Sequence, residues 1–150
     1  MTSSPHESVA EEQEALRTRL DAPLRAIARR AVRIWFNRDR VDQLLSESIG
    51  ACPHCSLLYA IDTNGRQVSS NVYQNRVDPD VYGQDLSRRP YAVSLSVLNN
   101  PAYQGAFLCE AYISRVTQRP CVTVMCAVTS GPTTLGFIAA DLEQQDTSSA

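Results

Sequence analysis

The spacing of the apolar residues changes once along this chain, near residue 50, and that change limits the folds it can adopt. Before it, apolar side chains recur every three or four residues, as they do on one face of a helix. They are Leu24, Ile27, Ala28, Ala31, Ile34 and Trp35. After it come short apolar runs separated by turn sequences. The sequence therefore predicts helices in the first third of the chain and a sheet in the rest.

The helical third is predicted to contain one helix over residues 8–20 and a second that starts near Pro23, with Asp21 as its cap. The apolar stripe that ends at Trp35 is expected to lie in the core. Four arginines on the other side of this helix are expected to form a solvated face: Arg25, Arg29, Arg30 and Arg33. Asp39 is expected to cap a short further helix that stops at Gly50.

Five strands are predicted after residue 56. The first two read LLYAID and QVSSNV, and a turn containing Asn64 and Gly65 joins them. The last three read FLCEAYISR, CVTVMCAV and TLGFIAADL. Residues 75–106 form an irregular crossover with one helical piece near 90–98. Because short turns join the last three strands, the sheet should be antiparallel. The predicted class is α+β, with the long helix on one face of the sheet and the crossover on the other.

Length, charge and cysteine content exclude several classes of protein. A chain of 150 residues is expected to form one domain. With 14 basic and 16 acidic residues, its net charge of −2 does not attract nucleic acid or an anionic membrane. It has no apolar run near the ~20 residues of a membrane helix, and its first 20 residues lack the apolar core of a secretory signal. A cytoplasmic location is expected, where five cysteines would be mostly free thiols.

Residues 52–55 read CPHC, the active-site pattern of thiol–disulfide oxidoreductases. In those enzymes the motif follows a strand and opens a helix, whose dipole lowers the pKa of the first thiol. Here a helix is predicted to end near Gly50 and a strand to begin near Leu57. Because no helix is predicted to follow Cys52, the sequence argues against a redox enzyme.

A zinc site is the second interpretation, because Cys52 and Cys55 have the spacing of metal ligands. A closed site needs two more ligands. Cys121 and Cys126 are five residues apart on one predicted strand and so point to opposite faces. Other candidates are Cys109, His54 and His6, or a second chain. The favoured interpretation is a pair of buried free thiols in a connector, with Pro53 stopping the helix.

Four later stretches carry a resemblance to a known family. They read, in order, YAIDTNGRQVSSNV, GQDLSRRPYAVSL, AYISRVTQRPCVTVMCAV and LGFIAADLE. Together they resemble the Cache sensor domains, also called PDC sensors, over about residues 22–143. The resemblance implies a PAS-like five-stranded antiparallel sheet and a small ligand, often an amino acid, a carboxylate or an amine, between the sheet and the crossover. Residues 1–21 would then be a partly helical N-terminal segment and residues 144–150 a disordered tail.

The resemblance aligns Arg89, in the segment DLSRRPY, with the ligand-side arginine of the family. A guanidinium can hold a carboxylate through two parallel hydrogen bonds. Tyr91 could line the pocket and donate its hydroxyl, and Asp141 could pair with an ammonium or another donor. The predicted ligand-binding residues are Arg89, Tyr91, Tyr112, Ser114, Thr123 and Asp141.

Two positions depart from the pattern of the amino-acid-binding members. Ala92 stands where those members have a second aromatic residue, and Ser114 stands where they have an aspartate that helps to hold the ligand's ammonium. The sequence therefore favours a smaller carboxylate or a neutral polar ligand over an amino acid.

The sequence thus predicts a cytoplasmic, stand-alone sensory domain that binds a small molecule and signals to a separate partner. No nucleophile elbow, phosphate loop or paired-carboxylate motif is present, so no enzyme activity and no cofactor are expected. A homodimer through the N-terminal helix is expected, because Leu24, Ile34 and Trp35 offer more apolar surface than one thin sheet would cover. The alternatives are a structural or assembly protein with a degenerate pocket, and a thiol- or metal-binding protein that uses CPHC.

Overall fold

The computed structural model describes residues 5–87, 105–108, 112–113, 118 and 120–143. Its helices are α1 (Pro5–Ala31) and α2 (Arg38–Ser48), followed by a 3-10 turn (Ile49–Ala51). Its strands are β1 (Leu57–Asp62), β2 (Asn71–Tyr73), β3 (Val77–Asp78), β4 (Phe107–Leu108), β5 (Tyr112–Ile113), β6 (Pro120–Ser130) and β7 (Thr133–Glu143). A second 3-10 turn (Pro79–Val81) follows β3. None of the helices in these ranges is long and apolar enough to cross a membrane.

All strands in the described part of the chain pair antiparallel, in the order β3-β2-β1-β7-β6-β4, and β5 also pairs with β6. The predicted α+β class with an antiparallel sheet is confirmed. The strand count differs from five for two reasons. The two-residue strand β3 was not predicted, and the predicted strand FLCEAYISR contains both β4 and β5. These two segments pair with β6 in registers that differ by one residue.

Both faces of the sheet are buried, which explains the almost continuous apolar runs in its central strands. On one face α1 and α2 pack over alternate residues of β1, β6 and β7, such as Leu58, Val124 and Ile138. On the opposite face a smaller cluster contains Ile61, Met125 and Phe137. Because successive strand residues point to opposite faces, each central strand supplies both clusters.

The first helix differs from the prediction, because α1 runs without a break through Pro23. A proline inside a helix removes one backbone hydrogen bond and costs about 3 kcal/mol. Leu20 and Leu24, on either side of it, are both fully buried, and burying two leucines offsets that cost. The prediction that Asp21 caps a second helix is therefore wrong. Its carboxylate instead accepts a hydrogen bond from the backbone N–H of Ala106, at 2.7 Å, just before β4.

The start and end of α2 also differ from the prediction. Asn37, not Asp39, is its N-terminal cap, and the Asn37 side chain accepts a hydrogen bond from the backbone N–H of Arg40 at 3.2 Å. Asp39 lies in the first turn, where its charge is favourable for the helix dipole. The helix ends at Ser48, and Gly50 belongs to the 3-10 turn that follows.

The apolar residues that motivated a dimer through α1 lie inside the domain instead. Leu24 is fully buried and Trp35 is 6% exposed, as predicted for a core stripe. Ile34 is half-buried and packs against the same cluster. Because α2 and the sheet cover these side chains, they provide little surface for a second copy. Dimerisation through α1 stays a prediction, but exposed apolar surface on these residues no longer supports it.

Replacing Asp21 by asparagine should remove part of the stability of the domain at neutral pH. The Ala106 N–H, and after it the charge of Arg25, lowers the pKa of the Asp21 carboxyl from its ordinary value of 3.8. A carboxyl whose pKa is lowered on folding stabilises the protein above its unfolded-state pKa, and this contribution is lost as the pH falls through the folded-state pKa. We expect Asp21→Asn to lower the free energy of unfolding by about 1 kcal/mol at pH 7 and by little near pH ~2.

Urea unfolding at several pH values measures this effect. Glu11→Gln, an exposed position on the same helix, is the matched control and should leave the pH dependence of the parent chain unchanged. An Asp21→Asn curve that runs parallel to the parent curve down to pH 2 would contradict the assignment.

Candidate functional site

The candidate site lies on the face of the sheet that α1 does not cover. Its apolar part consists of buried side chains from three neighbouring strands and from Leu86, in the segment after β3: Tyr59, Ile61, Leu86, Met125, Phe137 and Ala139. Leu86 is fixed there by a hydrogen bond from its backbone N–H to the Gly65 carbonyl, at 2.7 Å. The face is therefore a covered, apolar layer and not an open surface.

A carboxylate and two hydroxyls lie together at one end of this layer. The half-buried Asp141 accepts a hydrogen bond from the Tyr59 hydroxyl at 3.0 Å and another from the Thr123 hydroxyl at 2.8 Å, both at its Oδ1 atom. Tyr59 is 3% exposed and Thr123 is fully buried. A buried polar group must be hydrogen-bonded, and this cluster satisfies that requirement with charge-assisted bonds. We call these three residues the Asp141 cluster.

The pairing of the strands explains how the Asp141 cluster forms. Thr123 on β6 is directly opposite Asp141 on β7, and Leu57 on β1 is opposite Asp141 on the other side. Tyr59 is two residues further along β1, on the same face, so its long side chain reaches back to the carboxylate. The backbone is held at the same point, because the Asp141 carbonyl accepts bonds from the N–H and the hydroxyl of Ser56, both at 2.9 Å.

The structure brings together only part of the predicted site. Thr123 and Asp141 share one face and one hydrogen bond, so Asp141 is not a strand end in open solvent. The backbone of Tyr112 pairs with Cys121, two residues from Thr123. Three of the predicted residues, Arg89, Tyr91 and Ser114, lie outside the described residues.

Tyr59 belongs to this cluster, and the sequence interpretation did not identify it. It was assigned to an apolar strand, LLYAID, and no role was predicted for its hydroxyl. The alternation of that strand places Tyr59 on the same face as Leu57 and Ile61. What could not be predicted is which residue of β7 lies beside it, because this depends on the pairing register of two distant strands.

Comparisons with known proteins identify the fold. No family model and no curated protein matches this chain. Among solved structures, an extracellular ligand-binding receptor from Desulfohalobium retbaense aligns with a TM-score of 0.67 at 17% identity, over 91% of this chain and 24% of that chain. The Bacillus subtilis YkuI protein, which has an EAL domain, aligns with a TM-score of 0.63 at 20% identity, over 93% of this chain and 34% of that one.

A third structure is the ligand-binding domain of the Campylobacter jejuni chemoreceptor Tlp3, in complex with 4-methylisoleucine. It aligns with a TM-score of 0.61 at 14% identity, over 95% of this chain and 61% of that chain. The chain has the fold of a Cache, or PDC, sensor domain. The resemblance found in the sequence is thus confirmed at the level of the fold. This chain spans less than two thirds of the length of each of these three structures.

In this Cache fold, CPHC is a tight turn between the helical part and β1. The N–H of Cys55 donates to the carbonyl of Cys52 at 3.3 Å. Pro53 occupies the second position, and His54 occupies the third with a φ of 61°. A proline followed by a residue with positive φ is typical of a type II turn. The predicted order of a helix before the motif and a strand after it is confirmed, so Cys52 lies at the C-terminal end of a helical segment, whose dipole does not stabilise a thiolate.

Both thiols of the motif are buried and protonated at neutral pH. Burial raises the pKa of Cys52 to about 11. The pKa of Cys55 is raised to about 12, first by burial and then by the neighbouring Cys52, while a backbone hydrogen bond with Leu57 acts in the opposite direction. Since the thiolate is the reactive species and the metal ligand, these thiols are poor nucleophiles and poor ligands.

The zinc interpretation finds no ligand set in the part of the chain that the structure describes. There, no group of three or more His, Cys, Asp and Glu residues could hold a metal ion. Cys121 and Cys126 lie on opposite faces of β6, as the sequence predicts. Cys52, Cys55, Cys121 and Cys126 are all buried free thiols. Of the other candidates, Cys109 lies outside the described residues.

We expect Cys52 and Cys55 to be unreactive in the folded protein. Because their pKa values lie near 11 and 12, less than about one thiol in a thousand is ionised at pH 7. Iodoacetamide labelling at pH 7.5, followed by mass spectrometry of the peptide that contains both cysteines, should detect modification only after unfolding in urea. Insulin reduction above the level of a Cys52→Ser, Cys55→Ser variant would contradict this assignment.

Proposed function

We propose that this chain is a sensory domain that binds a small polar or carboxylate ligand at the face of the sheet opposite α1. The observation that carries the proposal is the Asp141 cluster, a half-buried carboxylate with two hydroxyl partners at one end of an otherwise apolar layer. Ligand sites combine apolar walls with a few convergent polar groups in this way. The Cache fold supports the proposal, because the Campylobacter jejuni domain with this fold is in complex with a small molecule.

The chemistry of the site suggests the class of ligand. Asp141 would accept a hydrogen bond from a donor group of the ligand. Arg89 would bind an anionic group of the same ligand. The 4-methylisoleucine bound by the Campylobacter jejuni domain is an amino acid and carries both kinds of group. In this chain Ser114 stands where amino-acid-binding members have an aspartate, which weakens the hold on an ammonium. We therefore propose a small carboxylate that also carries a hydroxyl or amide donor.

The proposed output is a signal to a separate partner in the cytoplasm. Two copies of the domain would pair through α1, and this helix would transmit the signal. Two contacts support a connection between α1 and the sheet edge. Asp21 accepts from the N–H of Ala106 at 2.7 Å, and Arg17 donates to the carbonyl of the same residue at 3.3 Å. Ala106 leads directly into β4. A ligand that binds one arrangement of this edge more tightly would shift the position of the helix.

A structural role is the second candidate function. The observation that favours it is the depth of the cluster, since Tyr59 and Thr123 are almost inaccessible and their hydroxyls already bond to Asp141. In that case the cluster would only stabilise the sheet.

A thermal-shift screen against small carboxylates, hydroxy acids, amino acids, amines and purines distinguishes the two functions. If the domain is sensory, at least one carboxylate should raise Tm. A folded Asp141→Asn variant should then show no such increase. If no compound raises Tm at millimolar concentration, the structural role is favoured and the sensory proposal fails.

Arg89→Ala should weaken any carboxylate found in this screen by ten- to a hundredfold. Charge-assisted hydrogen bonds are worth ~1.5–3 kcal/mol when partly desolvated, and ~1.4 kcal/mol corresponds to a factor of ten in Kd. Arg89→Lys should restore only part of the affinity, because an ammonium cannot form two parallel bonds with a carboxylate. Isothermal titration calorimetry measures the difference.

Arg88→Ala is the matched control, since it removes the same charge from the neighbouring position. It should change Kd less than Arg89→Ala. If Arg88→Ala abolishes binding and Arg89→Ala does not, the alignment with the Cache sequence pattern is displaced by one residue and the predicted pocket is wrong.

A further inference from the structure

A cleft on the helix side of the sheet is a separate candidate site, and nothing in the Asp141 cluster uses it. It lies between β6 and the second half of α1 with the turn that follows it, and has a volume of about 340 Å³. Its lining consists of Arg25, Ala28, Arg29, Val32, Arg33, Gly105, Cys126, Ala127 and Thr129. Small-molecule sites begin at about this size. We call it the α1–β6 cleft.

The α1–β6 cleft is strongly positive in a chain whose net charge is −2. Arg25 and Arg29 are four residues apart on α1 and so point to the same side, and Arg33, in the turn after α1, also lines the cleft. Arg25 pairs with Asp21, with 3.1 Å between its Nε and the carboxylate. Neither of the other two arginines has an acidic side chain within 4 Å in the described part of the chain. Like charges at this spacing destabilise a helix, and a bound anion would relieve that repulsion.

The walls of the cleft suit an organic ligand better than a bare ion. Ala28 on α1 and Val32 just after it form its apolar side, and Cys126 forms part of its floor on β6. Cys126 is 3% exposed, and burial raises the pKa of its thiol to about 11, so the floor is neutral. The exposed Thr129 places a hydroxyl near the rim, where β6 has an irregular register after Val128. Apolar walls, one hydroxyl and several guanidinium groups match a multiply charged organic anion.

Arg25 is held in place from two sides. Asp21 bonds to its Nε, and its terminal nitrogen lies against Gly105, where an added Cβ would be only 2.6 Å from Nη2. Gly105 has a φ of 102°, a conformation that favours glycine. This contact orders one guanidinium at the edge of the cleft before any ligand arrives. The neighbouring cleft between α1 and α2 is less suitable, because Glu47 is part of its lining and lies 3.8 Å from Arg30.

We propose that the α1–β6 cleft binds a small organic anion with two or three carboxylate or phosphate groups, independently of the ligand at the Asp141 cluster. The two sites lie on opposite faces of the sheet and share strand β6, which contributes Thr123 to one and Cys126 to the other. The chemistry common to carboxylate and phosphate ligands is recognition of several negative oxygens by guanidinium groups.

Isothermal titration calorimetry on the full chain at low salt tests the proposal, with citrate and pyrophosphate as probes. Acetate is the monoanion comparison, and it should bind at least tenfold more weakly. Arg29→Gln, Arg33→Gln in one chain should weaken citrate or pyrophosphate by about a hundredfold, since each charge-assisted contact is worth roughly a factor of ten. Tighter binding of pyrophosphate would identify phosphate as the preferred group, and tighter binding of citrate would identify carboxylate.

Two further variants distinguish binding at the α1–β6 cleft from nonspecific attraction of an anion to positive charge. Arg19→Gln, Arg40→Gln removes the same two charges at exposed positions outside the cleft and should change Kd less than threefold. Val32→Trp fills the cleft without altering the charge and should abolish binding while circular dichroism stays unchanged. The proposal is overturned if neither probe binds with a Kd below about 10 mM, or if the control pair weakens binding as much as the cleft pair. Unchanged binding to folded Val32→Trp also overturns it.

Discussion

Gly136→Ala is expected to lower the free energy of unfolding by about 3 kcal/mol and Tm by about 10 °C. A Cβ at this position would collide with the backbone carbonyl oxygen of Ile61 and with the indole ring of Trp35. The carbonyl cannot move aside, because Ile61 belongs to β1, which pairs with β7 from Leu57 to Asp62. The ring cannot move freely either, because Trp35 is 6% exposed and packs in the main core. Urea unfolding and a thermal scan measure both quantities.

Gly50→Ala is the matched control for this substitution. Nothing lies within 4 Å of a Cβ added at Gly50, and its φ is not in the left-handed region. Its replacement should leave stability unchanged or raise it by about 0.5 kcal/mol, since alanine has less conformational entropy to lose. If Gly136→Ala were as stable as Gly50→Ala, the close packing of Trp35 on β7 would be wrong.

The sequence shows a glycine at position 136 but not the reason for it, which is a tertiary contact. Gly136 belongs to LGFIAADLE, the last of the four stretches that resemble Cache domains. The reason for a glycine is tertiary, because the ring that needs the space comes from a residue about 100 positions earlier in the chain. No local propensity contains that information.

Features set by local periodicity were predicted well. The change from an apolar spacing of three or four to short apolar runs separated by turns placed the helices before the strands. The Asn64-Gly65 turn follows β1 as expected, and the Gly65 N–H donates to the Asp62 carbonyl at 3.1 Å. The opposite orientations of Cys121 and Cys126 were also predicted, because they depend only on an odd separation along one strand.

Features that depend on tertiary contacts were predicted poorly. By local rules, Asp21 and Pro23 predict the start of a helix. The helix α1 nevertheless continues through them, because Leu20 and Leu24 are buried in the core. Likewise, the contact between Tyr59 and Asp141 depends on the pairing register of β1 with β7, which the local sequence does not determine. The ligand-side arginine lies outside the described residues, so its role stays a prediction.

Asp141→Ala is expected to be the second large effect, with a loss of about 3 kcal/mol in the free energy of unfolding. The change removes the acceptor of the hydroxyl bonds from Tyr59 and Thr123. Removing the partner of a buried donor costs ~1–3 kcal/mol for each group. Asp141→Asn should cost less, because the amide oxygen still accepts a hydrogen bond. Asp80→Ala, at an exposed aspartate in the second 3-10 turn, is the control and should change stability by less than about 0.5 kcal/mol.

A double-mutant cycle decides whether the three side chains act as one unit. Tyr59→Phe alone should cost about 1–2 kcal/mol, because it removes the donor and leaves a half-buried carboxylate with one bond fewer. In the Asp141→Ala background the same change should cost less than about 0.5 kcal/mol, since the bond is already absent. Equal costs in the two backgrounds would show that the Tyr59 hydroxyl and Asp141 do not interact. A coupling of 1 kcal/mol or more, together with ligand binding lost in a folded Asp141→Asn chain, would assign the cluster both a structural and a binding role.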